Sequence, residues 1–261
     1  MNVKALVLTG HGINCDMETA FAFQRAKAVA ERIHLNDVID RKVRLEDYHI
    51  LAIPGGFSFG DDIASGKILA NKLKFNLKEQ IEQFIEDQKL IIGICNGFQV
   101  MVKFGLLPAL DNNYYTQSVT LTFNDSGRFE NRWVNLKINK KSKCIFTRGI
   151  DNLYLVVRHG EGKFIPRDDG ILERIKKNNQ VVAHYTDDKG QIAGYPWNPN
   201  GSRENIAALC DPTGRIFGLM PHPEAHIHKT NHPKWTRPNF VDNGNGLPIF
   251  QNAVEWITDH F

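Results

Sequence analysis

The chain has 261 residues, of which 42% are hydrophobic and 23% charged, enough for one large domain with a continuous core. Its net charge of +3 comes from 32 basic and 29 acidic residues spread along the chain, so no polybasic tract marks a nucleic-acid or membrane surface. The four cysteines (Cys15, Cys95, Cys144, Cys210) lie far apart, which excludes a C-x-x-C metal or redox pair and a dense disulfide framework and fits reduced thiols in a cytoplasm.

The opening "MNVKALVLTGHG" is too short in apolar residues for a signal segment or a membrane span, so no export is expected. Within it "VKALVL" (3–8) predicts a strand. "DMETAFAFQRAKAVAER" (16–32) predicts a helix, with Asp16 as candidate N-cap and Glu18 in the first turn, where the helix dipole favours acid. A weaker strand follows near 32–37, then the apolar run "HILAIPGG" (49–56), a helix around 77–88 and the strand "KLIIGI" (89–94). Apolar strands separated by amphipathic helices predict a parallel sheet covered on both faces, the α/β class, with ligands at the carboxyl ends of the strands. After Pro108 the runs "SVTLTF", "RWVNLKI", "LYLVVRHG", "QVVAHYT", "QIAGYPW" and "RIFGLM" are spaced by Gly, Asn and Asp turns, as in antiparallel meanders. A closing helix is predicted over 247–261. No repeat or linker breaks the pattern, so residues 1–261 read as a single domain.

One short stretch carries chemistry. Gly93, Cys95 and Gly97 form G-x-C-x-G between a strand and a helix, the layout of a turn that lifts a nucleophile above a sheet. The helix N-terminus beside the thiol favours its thiolate. The competing reading is an ordinary buried cysteine. A nucleophile needs a base, an orienting group and an oxyanion hole. "GLMPHPEAH" (218–226) offers His222 as the base and Glu224 to fix its tautomer. The Asn96 N–H and an N–H of the loop "PGGFSFG" (54–60) are candidate oxyanion donors. Gly55 and Gly56 give that loop its conformational freedom, and they and Phe57 are candidate substrate-binding residues.

In the order glycine loop, cysteine elbow, His-x-Glu, the chain resembles the class I (triad) glutamine amidotransferases. "NCDMET" (14–19), "PGGFSFGDDIASGKILA" (54–70), "GICNGFQVM" (93–101), "RFENRWV" (128–134), "HGEGKF" (159–164), "NPNGS" (198–202) and "GLMPHPEA" (218–225) narrow the resemblance to the glutaminase subunits of phosphoribosylformylglycinamidine synthase, the PurQ family. The resemblance implies a flavodoxin-like class I glutamine amidotransferase fold: a mostly parallel central sheet flanked by helices, with an additional antiparallel sheet. It also implies that Cys95 attacks the side-chain amide of L-glutamine, that His222 protonates the departing ammonia, and that Gln99, His159 and Glu161 help hold the substrate. Asn131 and Lys163 depart from the family pattern, standing where cysteine and arginine are expected.

No phosphate-binding glycine motif is present. The resemblance therefore implies no cofactor and no metal in this chain, with ATP and Mg on a synthetase partner, PurL, bridged by the small subunit PurS. His222, His226, His228 and His232 invite a metal reading of 222–246, but proline, aromatic and basic residues without acid or thiol ligands favour a rim loop or a partner contact. Two readings from other classes stay open: a cysteine peptidase or chaperone that keeps the elbow without needing H-P-E, and a silent binding module that tolerates loss of Cys95. Ammonia release from glutamine separates all three.

Overall fold

The computed structural model describes residues 2–238, 240–241 and 245–261. In chain order the elements are β1 (Lys4–Thr9), α1 (Asp16–Arg25), β2 (Val29–His34), α2 (Leu35–Ile39), β3 (Ile50–Ile53), α3 (Lys67–Asn76), α4 (Lys78–Glu86), β4 (Leu90–Ile94), α5 (Asn96–Phe104) and β5 (Val119–Phe123). They continue as β6 (Glu130–Ile138), β7 (Asn152–His159), β8 (Glu161–Pro166), α6 (Asp169–Lys177), β9 (Val181–Thr186), β10 (Ile206–Cys210), β11 (Ile216–Leu219) and α7 (Leu247–His260).

Nine strands form one sheet in the order β2-β1-β3-β4-β11-β10-β9-β6-β7. The half from β2 to β11 is parallel and the half from β11 to β7 antiparallel. β3 and β4 are buried at every position, as central strands covered on both faces must be. β5 and β8 pair apart from this sheet as a small antiparallel ribbon. Most of the runs read as a meander therefore extend the central sheet; "SVTLTF", paired with β8, and "QIAGYPW" lie outside it.

Four local expectations are corrected. The helix predicted over 16–32 stops at Arg25, because Lys27 takes φ 72° and the chain turns into β2, an edge strand pinned residue by residue to β1. Asp16 is the first helical residue rather than the cap, which is Cys15. The stretch "QIAGYPW" forms no strand. Helices α3 and α6 were not foreseen, although Asp168 caps α6 by accepting the Ile171 N–H at 2.8 Å, a D-x-x-I signal visible in sequence. Among the described residues no helix is long and apolar enough to cross a membrane.

The register sets up the site. β11 lies beside β4 in parallel, with Leu219 opposite Ile94, so both strands deliver their next residues to the same end of the sheet. Those residues are Cys95 and, three positions past β11, His222.

Candidate active site

Cys95 sits at the junction of β4 and α5 with φ 50° and ψ −104°, a conformation side chains rarely adopt and which costs about 1–3 kcal/mol. Its neighbours hold it there. Its N–H donates to Leu219 O at 2.8 Å, and its carbonyl accepts the Gln99 N–H at 3.1 Å, which starts the helix. The glycines of G-x-C-x-G are there for space: a Cβ on Gly97 would stand 1.8 Å from Ile53 O, and one on Gly93 would stand 2.3 Å from Met101 Sδ. The thiol points toward the end of β7, with Sγ 3.6 Å from Arg158 O.

His222 is buried, its N–H bonded to Val156 O at 2.9 Å, and its Nδ1 lies 2.6 Å from Glu224 Oε1. Burial alone would push the imidazole down; the Glu224 carboxylate, then Cys95, and thiol contacts with Cys15 and Cys95 outweigh it, so its pKa is raised well above the ordinary value. The imidazole is thereby suited to hold a proton and give it up to a leaving group.

The glycine loop lies over this pair. Gly55 packs so closely that a Cβ there would stand 2.7 Å from His222 Cε1. Gly56 takes φ 150° where a Cβ would meet Gly12 O at 2.4 Å. The Phe57 N–H is spent on Gly12 O at 2.7 Å, which removes it as an oxyanion donor. Among the described residues the N–H groups of Gly55, Gly56 and Asn96 make no hydrogen bond of their own and are the donors left. The Phe57 ring is part-exposed, 6.1 Å from Phe129.

The remaining candidates lie in one network rather than in an open pocket. Asn96 Oδ1 accepts the Ser58 N–H at 3.2 Å, while its Nδ2 donates to Asp61 Oδ1 at 3.1 Å and Gln99 Oε1 at 2.9 Å. Gln99 Nε2 donates to Glu161 O, so the Gln99 amide is bonded at both ends. The Glu161 carboxylate accepts the Ser65 N–H at 3.3 Å, tying β8 to the segment after the glycine loop. Asp61 and Ser65 are partners that sequence reasoning did not single out; they join the elbow only across long sequence separations.

His159 is fully buried. Its Nδ1 lies 3.0 Å from Asn124 Oδ1, and since that oxygen also accepts the Gly162 N–H, Nδ1 carries the proton. Burial, and after it the charge on His222, lowers its pKa from 6.5 to about 3. The unfolded chain therefore binds one more proton here than the folded chain between those values, and stability falls as pH drops below 6.5. Between pH 7 and 5 this one group removes about 2 kcal/mol. Denaturant unfolding of His159→Asn at both pH values is expected to show that much less acid sensitivity than the parent.

Of the other histidines, His226 Nδ1 bonds Tyr154 O at 2.8 Å, and His232 packs with Trp133 and Tyr154. His228 caps a short turn at Thr230. Residues 239 and 242–244 of that stretch lie outside the described residues. Of the two departures from the family pattern, Asn131 is exposed on β6 and Lys163 pairs with Asp125. Cys15, noted in sequence as one of four thiols and as part of "NCDMET", lies against His222; burial raises its pKa, the His222 contact opposes this, and the Glu224 charge adds to it.

A thiol on a strained strand-to-helix turn, a buried His-Glu pair beside it and a mostly parallel sheet below define the triad type of glutamine amidotransferase. Residues 2–257 match the CobB/CobQ-like glutamine amidotransferase domain. The chain is 48% identical over 255 residues to phosphoribosylformylglycinamidine synthase subunit PurQ of Dehalococcoides mccartyi, covering 97% of both chains. It is 45% identical over 268 residues to the PurQ subunit of Methanococcus maripaludis, again covering 97% of both. The structure of PurLQS from Thermotoga maritima contains a chain that superposes with a TM-score of 0.74 at 28% identity, covering 98% of this chain and 100% of that one. The chain belongs to the PurQ family of glutamine amidotransferases.

Proposed function

We propose that this chain is the glutaminase subunit of a cytoplasmic phosphoribosylformylglycinamidine synthase, with Cys95, His222 and Glu224 as its triad. The observation that carries the reading is the buried His222–Glu224 pair at 2.6 Å, delivered beside the Cys95 elbow by two adjacent parallel strands.

In the reaction the Cys95 thiolate adds to the side-chain amide carbon of L-glutamine. The developing oxyanion is met by the N–H of Asn96 and an N–H of Gly55 or Gly56. His222 gives its proton to the amide nitrogen, the C–N bond breaks, and ammonia leaves a γ-glutamyl thioester. A water then loses a proton to His222 and attacks the thioester, releasing glutamate and restoring the thiolate. Glu224 holds the imidazole in register and balances its charge throughout.

The chain contains no phosphate-binding glycine motif, so ammonia is consumed elsewhere. The partners in this reading are the synthetase PurL, which holds ATP and Mg and aminates formylglycinamide ribonucleotide, and the bridging subunit PurS. Coupling has a physical route. The segment 58–66 is bonded through Asn96 to the elbow and through Ser65 to Glu161, and it displays Ile63 at 88% exposure. A partner seated there moves the residue that carries one oxyanion donor, and each ~1.4 kcal/mol of preference for the competent state raises its population tenfold. Steady-state glutaminase activity of the chain alone is expected to be weak, and to rise at least roughly tenfold with PurL, PurS, nucleotide and formylglycinamide ribonucleotide present. Equal turnover with and without the loaded partners would refute the coupling and leave the Cys95 chemistry standing.

A further inference from the structure

Cys15 is a thiol that lies against His222 and takes no bond-making step in the glutaminase chemistry. It closes the loop before α1. Its N–H donates to Gly55 O at 3.1 Å, and its carbonyl accepts from Thr19 N at 3.1 Å and Thr19 Oγ1 at 2.7 Å. The backbone is thereby locked to both the glycine loop and α1, and it sets the thiol against the catalytic histidine. The point where a Gly55 Cβ would stand is 3.3 Å from Cys15 Sγ and 2.7 Å from His222 Cε1.

One donor atom each from Cys15, His222 and Glu224 lies within 4.8 Å of the other two, the only such group of His, Cys, Asp and Glu side chains among the described residues. Two of the three residues are more than nine-tenths buried; Glu224 carries an atom, Oε2, that makes no hydrogen bond, and the His222 ring meets the thiols of Cys15 and Cys95. Buried polar atoms left unpaired are rare and call for a ligand.

We propose that Cys15, His222 and Glu224 form a binding site for a thiophilic divalent cation of the Zn2+ type, and that its occupancy switches the glutaminase off. The inference rests on the reading of His222 and Glu224 as the catalytic pair. A thiolate, an imidazole and a carboxylate are the ligand types zinc takes, whereas magnesium and calcium prefer oxygen alone. Zinc bonds of about 2.0–2.3 Å in a tetrahedron put donors roughly 3.5 Å apart, so the group must draw in by about 1 Å. Cys15 is the half-buried member, and rotation of its side chain supplies that movement. The thiolate and carboxylate together cancel the charge of the ion, which a water-poor site requires. On binding, the Cys15 S–H proton and the proton on the coordinating imidazole nitrogen leave to solvent, sulfur and the freed lone pair coordinate the metal, and water fills the fourth position. The imidazole can then no longer carry a proton to the amide nitrogen, so turnover stops with no covalent change.

The test is Zn2+ binding by the purified full-length chain, read by competition with a chromophoric chelator, for the parent, Cys15→Ser and Cys95→Ser. Zn2+ affinity is expected to fall at least roughly tenfold in Cys15→Ser, a loss that even an outer-shell partner of a metal site can cause. It is expected to survive in Cys95→Ser. The Co2+ form should show a thiolate-to-metal charge-transfer band that disappears with Cys15→Ser. In the assembled synthase, the Zn2+ concentration that halves the activity of Cys15→Ser, taken against that variant's own metal-free rate, should rise by the same factor as the affinity loss. Unchanged Zn2+ affinity in Cys15→Ser, or loss of binding only in Cys95→Ser, would overturn the proposal. A complex that binds Zn2+ through Cys15 but never hydrolyses glutamine would sink the functional reading while leaving the metal site in place.

Discussion

Replacing Cys95 with serine is expected to lower glutamine-dependent synthesis by the complex by roughly three orders of magnitude or more, the scale on which loss of a nucleophile acts. Ammonia-dependent synthesis should stay within about twofold, because the synthetase step uses ammonia whatever its source. The two rates must separate for a physical reason. A serine hydroxyl is far less acidic than a thiol, so an oxygen placed on the same strand-to-helix turn is a poor nucleophile. The change is sterically mild: the smaller oxygen sits in a space where Sγ already has 3.6 Å to its nearest carbonyl partner, Arg158 O. The fold and the docking surface are expected to survive, and paired assays with glutamine and with an ammonium salt on the same complex read the difference. Glutamine turnover by Cys95→Ser near the parent rate would remove Cys95 from the mechanism.

The second large effect is on folding. Gly97→Ala puts a Cβ 1.8 Å from the Ile53 carbonyl oxygen, and neither atom belongs to a side chain that can rotate away. α5 would have to lift off β3, in the best-covered part of the sheet. Overpacking a core commonly destabilises by about 1–3 kcal/mol, and a backbone collision belongs at or above the top of that range. At ~2–4 °C per kcal/mol a loss of about 3 kcal/mol lowers Tm by roughly 6–12 °C. Gly194→Ala is the control: no atom lies within 4 Å of its Cβ position, and it should stay within about 0.5 kcal/mol of the parent. Thermal unfolding followed by circular dichroism separates the two. If Gly97→Ala melts with Gly194→Ala, the close approach of α5 to β3 does not constrain the elbow.

This contrast also shows why the elbow could be read from sequence. Gly93, Cys95 and Gly97 are local: the small residues and the thiol sit within one turn of chain, and the apolar run before them announces a covered strand. His222 and Glu224 were readable for the same reason, because H-P-E follows an apolar run that becomes β11. What escaped was set by contacts distant in sequence. Asn96 bonds Asp61 and Ser58 some 35 to 38 residues away, and Glu161 reaches Ser65 across 96. The Phe57 N–H was an open donor in sequence, and only pairing with Gly12 O takes it out of the oxyanion hole. Cys15 stood in the sequence only inside "NCDMET", with no chemical role attached; its place beside His222 goes with the antiparallel pairing of Ile13 with Gly56.

The secondary-structure errors have the same origin. "AKAVAER" carries helical residues, yet edge pairing to β1 makes the stretch from Val29 a strand. Helix α3 begins at Lys67, capped by Gly66 in a left-handed conformation, inside a stretch whose glycines read as loop. The antiparallel runs were recognised as strands, but that they join the parallel half through β11 depends on a register fixed only when the chain folds.

The most direct test of the central claim is to trap the acyl-enzyme. The assembled complex is mixed with isotopically labelled L-glutamine, quenched in acid during turnover, digested and mapped by mass spectrometry. A labelled γ-glutamyl group on the peptide containing Cys95, absent from Cys95→Ser, is the predicted result. Label on Cys15, Cys144 or Cys210 instead, or steady turnover with no label on any cysteine, would contradict it.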